Sequence, residues 1–319
     1  MLRPLSLLVL LASLNACSEN DASDAPAPRI ADTTPEMLDA APEDAEAATK
    51  RGPAQIIAEA APDDWRALDP ENMLVIELER GRVIVALSEK LAQTHTAQLK
   101  TLAREGFYDG LSFYRVIDGF VAQGGDVLET RAVTNAAETL TAQFEEPLTA
   151  EMTFTPVKDA DGYAARVGFI DSEPVGVDAA GETVWRLHCT GAMAMARGNE
   201  KDTGGTEFYV TLQPQRYLDR NLTVFGQVVE GMEHLQALRR VAPAQSPEDD
   251  LGETILSMKV ASDLDKTDQP SLEIMRSDTP TFSDYVASRR NRPEPFFYYR
   301  PDHVDVCALS IPVRPIETQ

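Results

Sequence analysis

The sequence predicts a mainly β domain of antiparallel strands, and three observations carry that prediction. Runs with a period of two, bounded by Gly, Asp and Asn, recur between residues 73 and 261. Two of them, Met73 to Glu79 and Arg82 to Leu87, are separated only by Arg80-Gly81, which reads as a hairpin. Helical spacing is confined to two stretches, 89–105 and 231–240.

Taken in chain order, residues 18–64 are rich in Ala, Pro, Asp and Glu, with twelve acidic against three basic residues. With few large apolar side chains, such a segment cannot offset its ordering entropy, so it is expected to be a disordered acidic linker. The folded domain is expected from residue 65 to 261, its first strand starting near Asn72. After the hairpin, Leu91, Leu99 and Leu102 with Ala92, Ala97 and Ala103 mark a helix that Gly106 closes. Phe107-Tyr108-Asp109-Gly110 then turns into a strand at residues 113–126, which bends at Gly119 and ends at Gly124-Gly125. Simple alternation there places Phe113 and Arg115 on one face, Tyr114 and Val116 on the other. Arg115, Phe120 and Gln123 would then converge as a fixed cation beside an apolar floor and an amide. That chemistry suits a neutral peptide better than a phosphate.

Residues 127–190 are expected to be a long insertion with some order, for example a hairpin of Arg166 to Ile170 with Thr183 to Leu187. Strands follow at 192–196, 208–212 and 223–229. A short helix at 231–240 and a closing strand at 255–261 complete the domain. Residues 262–319 form a C-terminal extension, expected to pack on the domain, with Phe296-Phe297-Tyr298-Tyr299 as one means of doing so.

The stretch Phe113-Tyr114-Arg115-Val116-Ile117-Asp118-Gly119-Phe120-Val121-Ala122-Gln123-Gly124-Gly125-Asp126 closely resembles the signature of cyclophilin-type peptidyl-prolyl isomerases. Further segments resemble the family in the same order: Met195-Ala196-Arg197-Gly198, Gly204-Gly205-Thr206-Glu207-Phe208-Tyr209, and Tyr217-Leu218-Asp219 followed by Val224-Phe225-Gly226. The resemblance implies a closed eight-stranded antiparallel barrel with two capping helices, carrying here a long inserted loop and the C-terminal extension. It implies Arg115 as the catalytic residue. Phe120, Val121, Tyr209 and Leu218 would line the prolyl pocket, with Phe208 as core or pocket wall. Gln123 and the backbone of Ala196 and Arg197 would hold the substrate's peptide groups, and Tyr217 and Glu207 would border the groove. No cofactor and no metal is expected.

The departures from the family pattern are informative. Val121 replaces the usual Met, so a smaller pocket floor is expected, and Tyr217 replaces the usual Trp, which in the family helps bind cyclosporin, so weak inhibition by it is expected. Leu222 and Tyr114 each stand where many members have His. Glu207 replaces a Gln, placing a carboxylate that could pair with Arg115 or select flanking substrate residues.

The net charge of −23 argues against nucleic acid as a partner. The four His are scattered without metal-ligand spacing. At the N-terminus, Arg3 precedes an apolar run from Leu5 to Leu14, too short to span a bilayer but suited to a signal peptide. Leu14-Asn15-Ala16-Cys17 resembles a bacterial lipobox, which implies lipidation of Cys17 after removal of a signal peptide over 1–17; an ordinary secretory signal is the alternative. Ser18 then directs the expectation to the periplasmic face of the outer membrane. Cys189 and Cys307 remain, an even number for an oxidising compartment, and are expected to pair and tie the C-terminal extension to the core; two buried free thiols are the alternative. Three functions fit: a lipid-anchored prolyl isomerase acting as a monomer on unfolded or nascent envelope proteins, a proline-peptide-binding chaperone or scaffold with little turnover, or an inert structural lipoprotein.

Overall fold

The structure, a computed structural model, describes residues 50–242 and 250–316. The expected signal peptide, Cys17 and the linker up to residue 49 lie outside these residues. Residues 50–64 correct the expected linker boundary. Pro53–Glu59 form helix α1, with Pro at its N-terminus and Ile56 buried. Composition pointed to disorder because the apolar surface that Ile56 meets comes from residues far along the chain.

Strand β1 (Trp65–Ala67) is followed by the predicted hairpin of β2 (Met73–Leu78) and β3 (Gly81–Leu87), paired from Met73–Ala86 to Leu78–Gly81. Helix α2 (Gln93–Arg104) buries Leu99, Leu102 and Ala103. It ends in a Schellman turn: Gly106 has φ of +67°, and the N–H groups of Gly106 and Phe107 donate to the carbonyls of Ala103 and Leu102. Next come β4 (Ser112–Val116) and β5 (Val121–Gly125). Five strands then occupy the segment expected to be an insertion: β6 (Glu146–Pro147), β7 (Phe154–Val157), β8 (Arg166–Ile170), β9 (Glu173–Val177) and β10 (Thr183–Arg186). The chain continues through β11 (Ala192–Met195), β12 (Phe208–Thr211), β13 (Val224–Glu230), α3 (Met232–Gln236), β14 (Glu253–Thr254) and β15 (Ser257–Val260). The C-terminal extension contributes β16 (Leu272–Met275), α4 (Pro280–Arg290) and β17 (Val313–Pro315).

The largest sheet has nine antiparallel strands in the order β14-β4-β5-β12-β11-β13-β3-β2-β15. It curls into a half-barrel and is open, which corrects the expected closed eight-stranded barrel. The single closing strand expected at 255–261 is broken in two: β14 pairs with β4 at one edge and β15 with β2 at the other. Between them Ile255 donates its N–H to Leu111 and Leu256 donates to Glu77, so the chain passes from edge to edge without a ladder between the edge strands. Inside the curl, Leu74, Ile76, Val85, Leu99, Phe225 and Met258 form the main core with Phe113 and Phe208. Phe208 meets Tyr108 and Phe113 edge-on, with ring centroids 5.4 and 5.7 Å apart.

The inserted segment forms its own five-stranded sheet, β6-β10-β9-β8-β7. The expected pairing of Arg166 to Ile170 with Thr183 to Leu187 is corrected: β9 lies between β8 and β10. The cause is a two-residue turn at Asp171-Ser172, both at positive φ (50° and 67°), which folds the chain back at once. That turn also binds the extension, since the Ser172 hydroxyl donates to the Met275 carbonyl at 2.7 Å. A third sheet, β1-β16-β17, and the packing of α1 on α4 complete this second body of structure. Its core combines Ile56, Trp65, Phe169, Trp185, Phe282 and Val306. Phe296, Tyr298 and Tyr299 are exposed, against the expectation that they attach the extension.

Cys189 and Cys307 are joined in a disulfide across a sequence separation of 118 residues, Cα atoms 4.9 Å apart. Closing a loop of that length stabilises the fold by about 4–5 kcal/mol on the chain-entropy model. Urea unfolding of Cys307→Ser should show a loss of that order, mostly in the extension; a midpoint equal to wild type contradicts it.

Candidate active site

The groove is built on the outer face of the half-barrel, and a bulge in β4 determines who reaches it. Ser112 pairs with Gly125 and Arg115 with Gln123, so Phe113 and Tyr114 together lie opposite Gly124. The extra residue breaks the expected alternation. Phe113 and Val116 both enter the core, and Arg115 stays on the outer face, separated from Phe113. Register then aligns Arg115, Gln123, Tyr209 and Ala194 across four adjacent strands.

Arg115 Nη1 donates to Gln123 Oε1 at 3.1 Å, and its guanidinium lies 5.3 Å from the centroid of the Phe120 ring. Among the described residues, no carboxylate stands within ion-pair distance of Arg115, so Glu207 does not pair with it. Gln123 Nε2 donates in turn to the Tyr114 hydroxyl. Beside this polar row lies an apolar cluster of Val121, Ala192, Ala194, Tyr209 and Val224, with Phe120, Ala196, Leu218 and Leu222 packed against it. Leu218 is carried by the short turn Arg216–Leu218, and its neighbour Tyr217 is 57% exposed at the rim.

One expected site residue, Phe208, lies in the core. Phe208 is fully buried in the main core and does not reach the groove, because on β12 residues 208 and 210 face inward while 209 and 211 face outward. The Arg197 side chain is engaged by backbone: Nε and Nη2 donate to the Asn221 carbonyl at 3.1 and 2.9 Å. Ala196 donates its N–H to the Glu207 carbonyl. The two glycines of the Gly-Gly pair have separate reasons. A side chain on Gly124 would press on the Phe208 ring at 3.2 Å, and one on Gly125 would coincide with the Glu207 carboxylate. Asp126 starts the insertion by accepting from the Thr130 hydroxyl and the Arg131 N–H.

Glu207 therefore lies over Gly125, and neither of its carboxylate oxygens finds a partner of full hydrogen-bond geometry. Burial pushes its carboxyl up to about 7; the Tyr114 hydroxyl and the Asp126 N–H, near but imperfectly placed, offset part of that, while the Asp126 and Glu129 charges add to it. Burial, with the Glu207 charge adding to it, also raises the Tyr114 phenol above its ordinary range.

The family model for the cyclophilin type peptidyl-prolyl cis-trans isomerase matches residues 73–260. The chain belongs to this family. A probable peptidyl-prolyl cis-trans isomerase of Brucella suis is 31% identical over 180 residues, covering 56% of this chain and 78% of that protein. Peptidyl-prolyl cis-trans isomerase B of Bacillus subtilis is 32% identical over 157 residues, covering 49% and 82%. The crystal structure of cyclophilin AquaCyp293 from Hirschia baltica aligns with a TM-score of 0.67 at 27% identity, over 84% of this chain and all of that one. That alignment exceeds the family segment, so part of the added structure also has a counterpart there. The activity of this cyclophilin is peptidyl-prolyl cis-trans isomerisation.

The unfolded chain releases the Glu207 proton near pH 4.5, whereas the fold holds it to about 7. Across that window the native state binds more protons than the unfolded state, so stability falls as pH rises, by up to about 3 kcal/mol. Glu207→Gln should lose this slope when urea unfolding is compared at about pH 5 and about pH 8. Equal pH dependence in both proteins contradicts the assignment.

Proposed function

We propose that this cyclophilin accelerates rotation about X-Pro bonds through Arg115, acting on proline-containing unfolded or nascent envelope proteins from a lipid anchor at Cys17 on the periplasmic side of the outer membrane. The observation that carries the mechanism is the guanidinium of Arg115. It is free of carboxylates, oriented by Gln123 and set over Phe120 beside the apolar cluster of Val121, Tyr209 and Leu218.

Rotation about the prolyl amide is slow because the nitrogen lone pair is delocalised into the carbonyl, giving a barrier of roughly 18–20 kcal/mol. Twisting the bond localises that lone pair on nitrogen. A donor aimed at the nitrogen therefore binds the twisted state more strongly than either planar isomer, which is the requirement for catalysis by differential binding. The Arg115 guanidinium offers several donors in a planar fork, and the apolar cluster beside it lowers the local dielectric. The pocket supplies the anchor: with the prolyl ring held by Phe120, Tyr209 and Leu218 and the preceding carbonyl free to swing, rotation needs no nucleophile. Gln123 accepts from Arg115 with its oxygen and donates to Tyr114 with its nitrogen, which keeps the guanidinium in place without neutralising it.

The cellular setting rests on sequence and covalent chemistry. The signal-like N-terminus and the lipobox resemblance at Cys17 support export and lipidation, and the Cys189–Cys307 bond supports an oxidising compartment. An acidic linker would hold the catalytic domain clear of the membrane surface. No described helix is long and apolar enough to cross a membrane.

In a protease-coupled isomerisation assay, Arg115→Ala should lose about 10²-fold or more of kcat/KM while its circular dichroism matches wild type. A folded variant with wild-type turnover contradicts the mechanism. Fatty-acid labelling in cells should mark wild type and not Cys17→Ser; a label on both, or on neither, contradicts the anchor.

A further inference from the structure

Behind the groove, one wall has a polar backing that the isomerisation chemistry does not use. Tyr209 is 4% exposed, and its hydroxyl lies 2.8 Å from His188 Nε2. His188 is fully buried; its Nδ1 lies 3.0 Å from Asp219 Oδ1, which also accepts the His188 backbone N–H at 2.9 Å. Asp219 Oδ2 accepts from Arg216 Nε at 2.6 Å, and the two remaining Arg216 nitrogens donate to Asp161 at 2.8 and 3.0 Å. The Arg216 guanidinium stands 5.3 Å from the Tyr163 ring centroid, and that of Arg220 4.8 Å from Trp185.

The origin of these residues matters. Asp161, Tyr163, Trp185 and His188 come from the inserted segment. Arg216, Asp219 and Arg220 flank or form the turn that carries Tyr217 and Leu218. Thus the insertion grips two elements of the prolyl pocket from behind: the Tyr209 ring directly, and the Leu218 turn through Asp219 and Arg216. His188 is the junction of the two. With Nδ1–H donating to Asp219, Nε2 is left as the acceptor for the Tyr209 O–H, and every polar atom of the buried chain is satisfied.

We propose that His188 is a positioning residue for prolyl isomerisation. By bonding Tyr209 and Asp219 together, it holds the aromatic wall and the Leu218 turn at a fixed separation, so that the prolyl ring enters a preformed pocket. This rests on the reading of Phe120, Tyr209 and Leu218 as the prolyl site. Without the imidazole, the Tyr209 hydroxyl is buried without a partner and the ring must shift to find one, which spoils the pocket. Arg115 and Gln123 sit on β4 and β5, outside this chain of bonds. The effect should therefore fall on substrate capture and leave the rotation step alone.

The test measures kcat and KM separately on the full chain, by NMR exchange with a prolyl peptide, in His188→Phe, His188→Gln, Tyr209→Phe, Leu218→Ala and the doubles that combine Tyr209→Phe with each His188 change. His188→Phe should raise KM about tenfold with kcat within about twofold of wild type. His188→Gln, which keeps a polar group near Nε2, should recover much of that loss. Tyr209→Phe should raise KM less in the His188→Phe background than in wild type, because the bond it removes is already gone. A wild-type KM in His188→Phe, alongside a raised KM in Leu218→Ala, overturns the positioning role while sparing the pocket. An unmoved KM in Leu218→Ala removes the pocket reading and this inference with it. Should His188→Phe fail to fold, the cycle of His188→Gln with Tyr209→Phe decides: coupled effects on KM support the role, and additive effects overturn it.

Discussion

Between Ser112 and Arg115, two residues of β4 lie opposite one of β5, and the groove depends on that bulge. In a regular strand Phe113 and Arg115 would share a face. Either the guanidinium would then be driven into the core, at a large desolvation cost, or the Phe113 ring would be lost from it. The bulge resolves the conflict by spending one extra residue. Phe113 and Val116 pack inward against Phe208, and Arg115 joins Gln123 and Tyr209 in a single row on the outer face. The Gly124-Gly125 pair supports the same arrangement, leaving room inward for the Phe208 ring and outward for the Glu207 carboxylate.

This division of faces explains how the chain carries so much additional structure without blocking its site. The inserted sheet and the C-terminal extension share a core of their own, around Phe169, Trp185 and Phe282, closed by the Cys189–Cys307 bond. A smaller apolar cluster ties the extension to the outer side of β2 and β3 through Leu272 and Ile274. The groove cluster around Tyr209 receives no side chain from the extension among the described residues. The insertion backs the groove through buried polar groups, from Asp161 and His188 to Tyr209 and the Leu218 turn, and its Phe144 ring also stands 5.4 Å from the Arg197 guanidinium. An addition built that way can influence the rigidity of the groove wall around Tyr209.

Much of the groove was legible in the sequence because its residues lie in short, contiguous motifs. Arg115, Phe120, Val121 and Gln123 fall within a single hairpin, and Tyr209 and Leu218 in two further segments. The hairpin β2–β3, helix α2 with its Gly106 cap, and the strands after residue 192 follow from local periodicity and turn chemistry. What was not legible depends on contacts between distant residues. Alternation alone could not reveal the bulge, so Phe113 was placed on the wrong face. The resemblance left Phe208 as core or pocket wall, because a motif does not say which face of its strand enters the core. The break at Ile255-Leu256, which leaves the sheet open, is invisible in a run that reads as one strand. The ordering of α1 requires α4, more than two hundred residues away. His188 looked like one of four scattered histidines because its partners, Tyr209 and Asp219, are not sequence neighbours and no local pattern joins them.

In the proposed mechanism the prolyl ring sits on the outer face, against Phe120, Tyr209 and Leu218, with Arg115 beside the rotating amide. The most direct measurement is a set of intermolecular NOEs between a short prolyl peptide and the folded protein. Contacts are expected from the prolyl ring protons to Phe120, Tyr209 and Leu218, and none to Phe208. Prolyl contacts to the exposed Phe296, Tyr298 and Tyr299, with none to the groove residues, would rule this placement out.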